Sequence, residues 1–170
     1  MAKPKYSFIV PVYNRPDELR ELLSSLGDQQ ATHFEVIVVE DGSEQKADKV
    51  VESFAGKLDL TYLFQPNAGP GAARNNGASQ AKGQWLIFLD SDVIVPPGYL
   101  AALDAMPKLP SLFGGPDKAA SDFSATQKAI NYSMTSFLTT GGIRGKKKAM
   151  EAYKPRSFNM GVEAMLFQKI

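Results

Sequence analysis

The carboxylates of Asp90 and Asp92 are the strongest chemical feature of the sequence. They follow directly on the apolar run Trp85–Leu89, with Ser91 between them. Side chains two residues apart on an extended chain point to the same side. Carboxylate oxygens suit Mg²⁺ or Mn²⁺, which often take their other ligands from waters and substrate phosphates. The structural alternative is that Asp90 ends a strand and Asp92 forms an Asx turn. At the ligand-binding edge of a sheet, the spacing favours a metal and phosphate site.

A second acidic cluster, Asp41-Gly42-Ser43, follows the apolar run Phe34–Val39. A carboxylate there could accept hydrogen bonds from a base N–H group or a ribose hydroxyl, and Gly42 would let the backbone approach a ligand closely. The same three residues also form a very common kind of turn. The cluster therefore gains a functional interpretation only through its neighbours in the fold.

The segment Asn67–Asn75 (NAGPGAARN) combines glycines with a basic residue. Gly69 and Gly71, with Asp90 nineteen residues after Gly71, imitate a dinucleotide-binding fingerprint, so a dinucleotide-dependent oxidoreductase is an alternative function. Two features count against it: Arg74 occupies the third small position, and the unit is not the first of the chain. Arg74 instead suits a cation directed at a base carbonyl or a phosphate, the alternative being a surface charge.

Four apolar runs, each followed by a short polar or glycine-rich cluster, are the elements that must position these residues. They predict strands over Tyr6–Val12, Phe34–Val39, Leu60–Phe64 and Gln84–Leu89, with intervening helices over Pro16–Gly27, Glu44–Ala55 (with Ser43 as N-cap) and Pro70–Lys82. This alternation favours a parallel sheet with right-handed crossovers and helices on both faces. In such sheets ligands bind beyond the carboxyl ends of the strands, so the four polar clusters define one site.

The second half of the chain is less regular. It predicts helices over Tyr99–Met106, Phe123–Leu138 and Glu163–Ile170, and short strands over Ser111–Gly114 and Ser157–Gly161. The glycine-rich, basic stretch Thr139–Met150 is predicted to be a mobile loop. Its lysine run is either a solvated segment or a cover for a diphosphate.

Composition excludes several kinds of chemistry. The 170 residues contain no cysteine, which rules out disulfides, cysteine zinc sites and a cysteine nucleophile. The one histidine, His33, precedes the second predicted strand, at the end of the sheet opposite the polar clusters, and we expect it to be a loop residue. A net charge of +1 gives no electrostatic case for nucleic acid, and no apolar run approaches the roughly 20 residues of a membrane span. We expect a cytoplasmic protein, either free or peripheral at the inner face of the membrane.

Four stretches together resemble the family-2 glycosyltransferases of the GT-A fold. They are Phe8–Arg15 (FIVPVYNR), Glu35–Ser43 (EVIVVEDGS), Asn67–Gly77 (NAGPGAARNNG) and Gly83–Asp92 (GQWLIFLDSD). The resemblance covers roughly residues 5–105 and is specific, because four motifs occur in order. It implies an α/β fold of the GT-A type: a Rossmann-like, mostly parallel sheet with helices on both faces and a nucleotide site at the carboxyl-terminal strand edge.

The resemblance also implies a nucleotide-diphosphate-sugar donor, with UDP the commonest nucleotide. The nucleotide-binding residues that it implies are Pro11, Val12, Tyr13, Asp41, Arg74, Asp90 and Ser91. The first three would line the base pocket, and Asp41 would hold the uracil or the ribose. Asp92 would hold Mn²⁺ or Mg²⁺ on the diphosphate, with Asp90 as a second candidate ligand.

The implied reaction moves the sugar, with inversion, to a hydroxyl of a glycan or lipid-linked acceptor, as in bacterial surface polysaccharide or glycan synthesis. The attack needs a carboxylate general base. No Asp follows Asp122, and the later acids are Glu151 and Glu163. We therefore expect the base beyond Ile170, in a chain truncated at its C-terminus; the alternative is an active short chain in which Glu163 or another acid of the irregular second half is the base.

Residues 1–170 are predicted to form a single GT-A domain. Its nucleotide-sugar-binding half would span 1–105, and a partial acceptor-side half, incomplete at the C-terminus, would span 106–170. A nucleotide-binding module without catalysis is the alternative outside the enzymes.

Overall fold

A computed structural model of the chain describes residues 3–114 and 159–169. The strands are β1 Tyr6–Val12, β2 Phe34–Asp41, β3 Leu60–Gln65, β4 Trp85–Leu89, β5 Leu112–Gly114 and β6 Asn159–Glu163. The helices are α1 Pro16–Gly27, α2 Asp48–Phe54, α3 Pro70–Gln80, α4 Tyr99–Asp104 and α5 Ala164–Phe167. Among the described residues, no helix is long and apolar enough to cross a bilayer. The predicted helix Phe123–Leu138 and loop Thr139–Met150 lie outside the described residues.

The strands form one sheet in the order β3-β2-β1-β4-β6-β5. Strand β1 pairs in parallel with β2 and β4, and β2 pairs in parallel with β3, whereas β6 runs antiparallel to β4. The prediction of a mostly parallel sheet is therefore confirmed. Because β1 to β4 are parallel, their carboxyl ends lie at one edge, and the loops that follow them meet there.

Alternate residues of the central strands pack on opposite faces of the sheet. Phe8 and Val10 of β1 belong to a buried cluster that includes residues of α1, α2 and α4. Ile9, between them, packs on the other face, where residues of α5 also lie. On that same face, Ile37 of β2 packs with Ala73 of α3. The predicted helices on both faces are thus confirmed, and most of the core lies on the α1 side.

Helix α1 is fixed by an apolar stripe that its sequence repeats at helical spacing. The stripe residues are all fully buried: Leu19, Leu22, Leu23 and Leu26. Pro16 occupies the first turn, where its fixed φ suits a helix start, together with two acidic residues near the positive end of the helix dipole. Full burial contributes about 1.5–3 kcal/mol for each leucine side chain. The start of α1, and with it the end of the preceding loop, is therefore firmly placed.

Helix α3 approaches the sheet closely because its contact residues are small. Ala73 is fully buried against the sheet. A Cβ at Gly77 would lie 2.7 Å from Cγ2 of Ile9 and 3.0 Å from Cγ2 of Val39, closer than packed carbon atoms approach. Glycine therefore allows α3 to lie directly against β1 and β2, which brings the start of this helix to the carboxyl edge.

Helix α2 begins at Asp48, four residues later than predicted, because Ser43 does not act as its N-cap. The Ser43 hydroxyl instead donates a hydrogen bond to the buried carboxylate of Glu40. The other oxygen of Glu40 accepts the N–H of Ala47, the residue before the helix, at 2.7 Å. The predicted start at Glu44 is wrong, since the chain from 43 to 47 is held to β2 rather than wound into the helix.

The C-terminal elements are also shifted from their predicted bounds. Strand β6 runs to Glu163, two residues beyond the predicted end at Gly161. The backbone N–H of Glu163 donates to the carbonyl of Ser111 at 3.0 Å, so this residue belongs to the sheet. Helix α5 consequently starts at Ala164 and covers a single turn.

Candidate functional site

A cleft of about 470 Å³ lies at the carboxyl edge of the sheet. It is lined by all eight residues that the sequence predicts as a site, Pro11, Val12, Tyr13, Asp41, Arg74, Asp90, Ser91 and Asp92. The other lining residues in the described part of the chain are Arg15, Asn67, Gly69 and Pro70. Residues that are up to 81 positions apart in the sequence therefore meet in one place, as the strand-edge rule requires. The individual role of each residue stays a prediction.

One wall of the cleft is the loop between β1 and α1. Tyr13 is half exposed there, whereas Val12 is buried and Pro11 is partly buried. The next residue, Asn14, has a positive φ of 54°, which asparagine tolerates better than most residues. Its side-chain oxygen accepts the N–H groups of Glu44 and Gln45 at 2.8 and 3.1 Å. This loop is thereby tied to the loop after β2.

Asp41, at the end of β2, is 3% exposed and its carboxylate is already engaged by the protein. One oxygen accepts Nε2 of Gln65 at 2.7 Å and the N–H of Ala68 at 2.9 Å, and the other accepts the N–H of Gly69 at 2.9 Å. A carboxylate can accept about four hydrogen bonds, so one more acceptor position remains. Asp41 therefore shapes the loop before α3, and its predicted contact with uracil or ribose would use the remaining position.

Gly42 lets the loops after β2 and β3 pack directly against each other. Its φ is +73°, in the left-handed region that favours glycine. A Cβ at this position would lie 2.5 Å from the backbone nitrogen of Asn67. Because that neighbour is backbone, a larger residue could be accommodated only by moving the loop that lines the cleft.

Behind these loops lies Glu40, a fully buried carboxylate that the sequence interpretation did not assign. Besides Ser43 and Ala47, it accepts the hydroxyl of Tyr62 at 3.3 Å. Burial and the adjacent Glu40 charge raise the pKa of Tyr62 well above its usual range, so the phenol remains a donor. The signal in the sequence is the pair Glu40-Asp41 after an apolar strand, since alternation directs one member of such a pair toward the core.

Asp90 and Asp92 reach the cleft through a turn rather than along an extended strand. Strand β4 ends at Leu89, and the N–H of Val93 donates to the carbonyl of Asp90 at 3.3 Å. The expectation that both carboxylates lie on one side of an extended strand is therefore wrong, since a turn brings them to the cleft. Within the turn, Ser91 is buried, while both carboxylates line the cleft.

Each of these two carboxylates faces an arginine. Nη2 of Arg74 lies 2.6 Å from Oδ1 of Asp90, and Nη1 of Arg15 lies 2.7 Å from Oδ2 of Asp92. Both join a guanidinium to a carboxylate and are charge-assisted hydrogen bonds. The Arg74 side chain is 16% exposed, against 50% for Arg15. Sequence reasoning assigned Arg74 but not Arg15, although Arg15 directly follows Tyr13-Asn14 in a loop already placed at the edge.

The carboxyl edge fits a divalent cation only in part. Asp90 and Asp92 supply hard oxygen ligands, and one oxygen of each has no hydrogen bond among the described residues. Within residues 3–114 and 159–169, no group of three or more His, Cys, Asp or Glu side chains could hold a metal. The buried Nε of Arg74 also lacks a hydrogen-bond acceptor among the described side chains and backbone. This donor set suits Mg²⁺ or Mn²⁺ whose other ligands come from an anionic ligand and water.

Glu163, the alternative base, lies at the opposite end of the sheet. In the antiparallel pairing of β4 and β6 it stands opposite Trp85, at the start of β4. Asp90 follows five residues later, which is about 16 Å along a strand. The Glu163 side chain accepts the Ser111 hydroxyl at 3.3 Å. Glu163 therefore does not fit the role of base at this cleft, and Glu151 lies outside the described residues.

The fold and the cleft are those of an α/β protein, a class whose ligands generally bind at the carboxyl ends of parallel strands. A family model described as "Glycosyl transferase family 2" matches residues 7–170. The chain belongs to glycosyltransferase family 2.

Curated bacterial proteins named as glycosyltransferases are among the relatives of this chain. The chain is 38% identical over 101 residues to the putative glycosyltransferase EpsH of Bacillus subtilis, an alignment of 58% of this chain and 29% of EpsH. It is 42% identical over 92 residues to the poly(ribitol-phosphate) beta-N-acetylglucosaminyltransferase TarS of Staphylococcus aureus, covering 52% of this chain and 16% of TarS. The chain thus spans less than a third of the length of these curated relatives.

Solved structures agree on the fold. A TarS fragment in complex with UDP-GlcNAc superposes with a TM-score of 0.71 at 27% identity, covering 97% of this chain and 47% of that one. A mannosyltransferase of Pyrobaculum calidifontis, solved with GDP-Man and Mn²⁺, gives a TM-score of 0.72 over 99% of this chain and 47% of its own. At 21% identity, the second likeness shows the fold alone. The predicted GT-A fold is confirmed.

The dinucleotide alternative finds no support in the structure or in the family. The small residues that pack α3 against the sheet are Ala73 and Gly77, whereas position 74 of the fingerprint holds an arginine. Arg74 instead pairs with Asp90 in the cleft. The Gly69-x-Gly71 motif therefore opens a helix whose third small position lies three residues later than in the fingerprint.

Proposed function

We propose that this chain forms the donor-binding part of a glycosyltransferase that takes its sugar from a nucleoside-diphosphate sugar, with UDP as the nucleotide. The observation that carries the proposal is the meeting of Asp90, Asp92 and Arg74 in one cleft at the carboxyl edge. Family membership supports the reaction class, and the UDP-GlcNAc bound by the TarS fragment supports the nucleotide.

The nucleoside would lie between the loop after β1 and the loop after β2. Tyr13 is exposed there and offers a ring and a hydroxyl to a base, with Pro11 and Val12 forming the wall behind it. The remaining acceptor position of Asp41 would take a base N–H or a ribose hydroxyl. Ser91 and Asp90 would approach the ribose from the other side. This arrangement would hold the nucleoside with the diphosphate directed toward Asp92.

Asp92, with Asp90 as second candidate, would hold Mn²⁺ or Mg²⁺, which when bound neutralises charge on the diphosphate leaving group. Arg74 would add a fixed positive charge close to the same phosphates, held in place by its pairing with Asp90. Charge that is already positioned before the bond breaks lowers the barrier without reorganisation.

The acceptor hydroxyl would attack the anomeric carbon from the face opposite the departing diphosphate, so the product is inverted. That step needs a carboxylate base within hydrogen-bond reach. Asp41, Asp90 and Asp92 are committed to the donor, and Glu163 is at the wrong end of the sheet. We therefore place the base outside the described residues. The division into a donor half over 1–105 and an acceptor-side half over 106–170 belongs to this proposal, as does a glycan or lipid-linked acceptor.

Calorimetric titration of the chain with UDP, with and without Mn²⁺, tests the proposal. We expect binding that strengthens with Mn²⁺, and a loss of at least about tenfold in that Mn²⁺-supported affinity in Asp92→Ala, which removes a ligand to the metal. Because Asp92 is half exposed, the thermal unfolding midpoint of the variant should match that of the parent chain.

Asp28→Ala is a matched control, since Asp28 also pairs with a basic side chain, Lys57 at 3.1 Å, and is exposed. It should bind UDP as the parent chain does. Equal UDP affinity in Asp92→Ala and in the parent chain would overturn the assignment of the metal to Asp92. Absence of any UDP binding would overturn the donor-site proposal itself.

A further inference from the structure

The two arginine–carboxylate pairs of the cleft differ in how firmly the arginine is held. Arg74 is mostly buried, with 16% of its side chain exposed, whereas both partners of the Arg15–Asp92 pair are about half exposed. Among the described residues, the guanidinium of Arg15 has its hydrogen bond only with Asp92. The Arg74 side chain is thus largely enclosed by the protein, whereas the Arg15 pair lines the same cleft but is exposed to solvent.

Only the backbone of Arg15 is fixed. Arg15 directly precedes Pro16 at the start of α1, and its backbone carbonyl accepts the N–H of Leu19 at 3.2 Å. Helix α1 is anchored by its buried leucines, so the Cα of Arg15 does not need to move when the side chain does. The Arg15 side chain can therefore change its rotamer while the backbone of the residue stays in place at the cleft.

The energetics of exposed ion pairs make this pair easy to exchange. Pairs between exposed side chains usually stabilise a protein by only about 0–1 kcal/mol. A divalent cation that approaches Asp92 would meet the positive guanidinium beside the same carboxylate and be repelled by it. A diphosphate, in contrast, offers the guanidinium a planar, charge-assisted contact at least as good as the one it leaves.

We propose that Arg15 is an exchangeable counter-ion. Its guanidinium pairs with the Asp92 carboxylate when no ligand is bound in the cleft, and it pairs with the donor diphosphate when a divalent cation binds Asp92. The inference rests on the proposed donor site and adds a second role at its entrance. Arg15 would compete with the metal before the donor arrives and bind the phosphates afterwards. A residue that merely strengthened the loop could not have effects of opposite sign on the two ligands.

Arg15→Gln, which keeps the length and removes the charge, tests both effects. We expect the affinity of the free protein for Mn²⁺ alone, measured by the electron paramagnetic resonance signal of unbound Mn²⁺, to rise about two- to fivefold. At saturating Mn²⁺, we expect UDP affinity by calorimetry to fall about tenfold or more, because a hydrogen bond between charged groups is lost. Uridine affinity should stay the same, because uridine has no phosphates.

Two further variants complete the design. Arg15→Lys keeps the charge without the planar fork and should show near-parent Mn²⁺ affinity with a partial loss of UDP affinity. Arg20→Gln, an exposed arginine on α1 away from the cleft lining, should change neither constant. Unfolding midpoints equal to the parent's would show that each variant is folded.

The outcomes separate this inference from the proposed function. If the parent chain binds Mn²⁺ and UDP but Arg15→Gln binds Mn²⁺ equally or more weakly, the exchange is wrong while the donor site stands. If Arg15→Gln loses uridine and UDP affinity alike, Arg15 supports the nucleoside pocket and not the phosphates. If the parent chain binds neither probe, the donor site fails, and the inference fails with it.

Discussion

The two ends of the sheet both carry carboxylates beside basic groups, but they use them differently. At the amino end, Asp104 at the end of α4 accepts hydrogen bonds from Lys5 and from the Tyr6 hydroxyl, the latter at 2.9 Å. Its second oxygen lies 2.9 Å from Nε2 of His33. At the carboxyl end, each aspartate of the 90–92 turn has one arginine and one oxygen without a hydrogen bond among the described residues.

The difference separates a structural carboxylate from one that can take a ligand. Asp104 joins the start of β1, the loop before β2 and α4: one oxygen accepts both Lys5 and Tyr6, and the other lies within ion-pair distance of His33. Asp90 and Asp92 line a cleft and keep acceptor capacity for something from outside. His33 lies in the loop at the amino end, where the sequence places it, and its neighbours there are structural. The number of partners on a carboxylate is thus more informative here than the presence of charge.

The largest expected effect comes from Gly42→Ala, which disturbs the loops at the carboxyl edge of the sheet without changing any charge there. The new Cβ would overlap the backbone of Asn67, and φ at this residue is left-handed. We expect the free energy of unfolding to fall by about 1–3 kcal/mol. The Asn67–Gly69 loop must move, so UDP affinity should fall by about tenfold. Chemical denaturation and calorimetric titration measure the two effects.

Gly56→Ala is the control for that variant, because no described atom outside its immediate neighbours lies within 4 Å of the new Cβ and Gly56 does not have a positive φ. It should change the free energy of unfolding by no more than about 0.5 kcal/mol and leave UDP affinity unchanged. A Gly42→Ala protein that matches it in both measurements would mean that the loop contact does not shape the cleft.

At the amino end we expect a smaller effect, on stability alone and with a defined pH dependence. Burial on its own would raise the pKa of Asp104, but the hydrogen bonds from Lys5 and Tyr6 outweigh it and lower the pKa from its usual 3.8. The hydrogen bond to Asp104, followed by that to Tyr6, raises the pKa of Lys5 above 10.5. Asp104→Asn should therefore lower the free energy of unfolding by about 0.5–1 kcal/mol at neutral pH.

The sign of each shift sets the pH window of that loss. A carboxyl whose pKa is lowered on folding stabilises the fold above its unfolded value, and this contribution disappears as the pH falls through the folded value. A lysine with a raised pKa contributes below 10.5 and loses its contribution as the pH rises further. The difference between the parent chain and Asp104→Asn should therefore shrink below pH 3.8. Denaturation curves across the acid range would contradict this if the difference grew there.

The smallest effect is the one that sharpens the comparison most. Asp104→Asn should leave Mn²⁺-supported UDP affinity unchanged, because the amino end is separated from the cleft by the length of the strands. The two variants should therefore have separate effects: Asp104→Asn changes the free energy of unfolding, and Asp92→Ala changes UDP affinity. If Asp104→Asn weakened UDP binding as Asp92→Ala does, the division of roles between the two ends would be wrong.

The architecture was predictable because its signals are local. Apolar runs such as Tyr6–Val12 identify strands that are buried on both faces, and the stripe of α1 has helical spacing. Once the strands are parallel, the topology alone brings Asp41 and Asp90 to one edge. No distance between side chains is needed for that step, which is why all eight predicted site residues line the cleft.

The pairings within the site were not predictable, because they join loops that are distant in sequence. Arg15 and Asp92 are 77 residues apart, and their contact depends on a turn at 90–93 that spacing alone does not show. Glu40 binds Ser43, which removes the N-cap that the sequence suggests for α2. In the first case a tertiary contact decides the arrangement, and in the second a side-chain hydrogen bond within one loop competes with the helix N-cap.

The position of β6 has a consequence for how the chain is made. Among the residues that the structure describes, all those that line the cleft lie between 11 and 92, whereas β6, the second neighbour of β4, comes from residues 159–163. At typical translation rates, roughly 4 to 14 s separate the synthesis of Asp92 from that of Glu163. During that interval β1 to β4 can already pair, but one side of β4 exposes unpaired backbone groups, the kind of edge on which chains aggregate. The ligand cleft is thus the early product of synthesis, and the closing of its sheet is the late one.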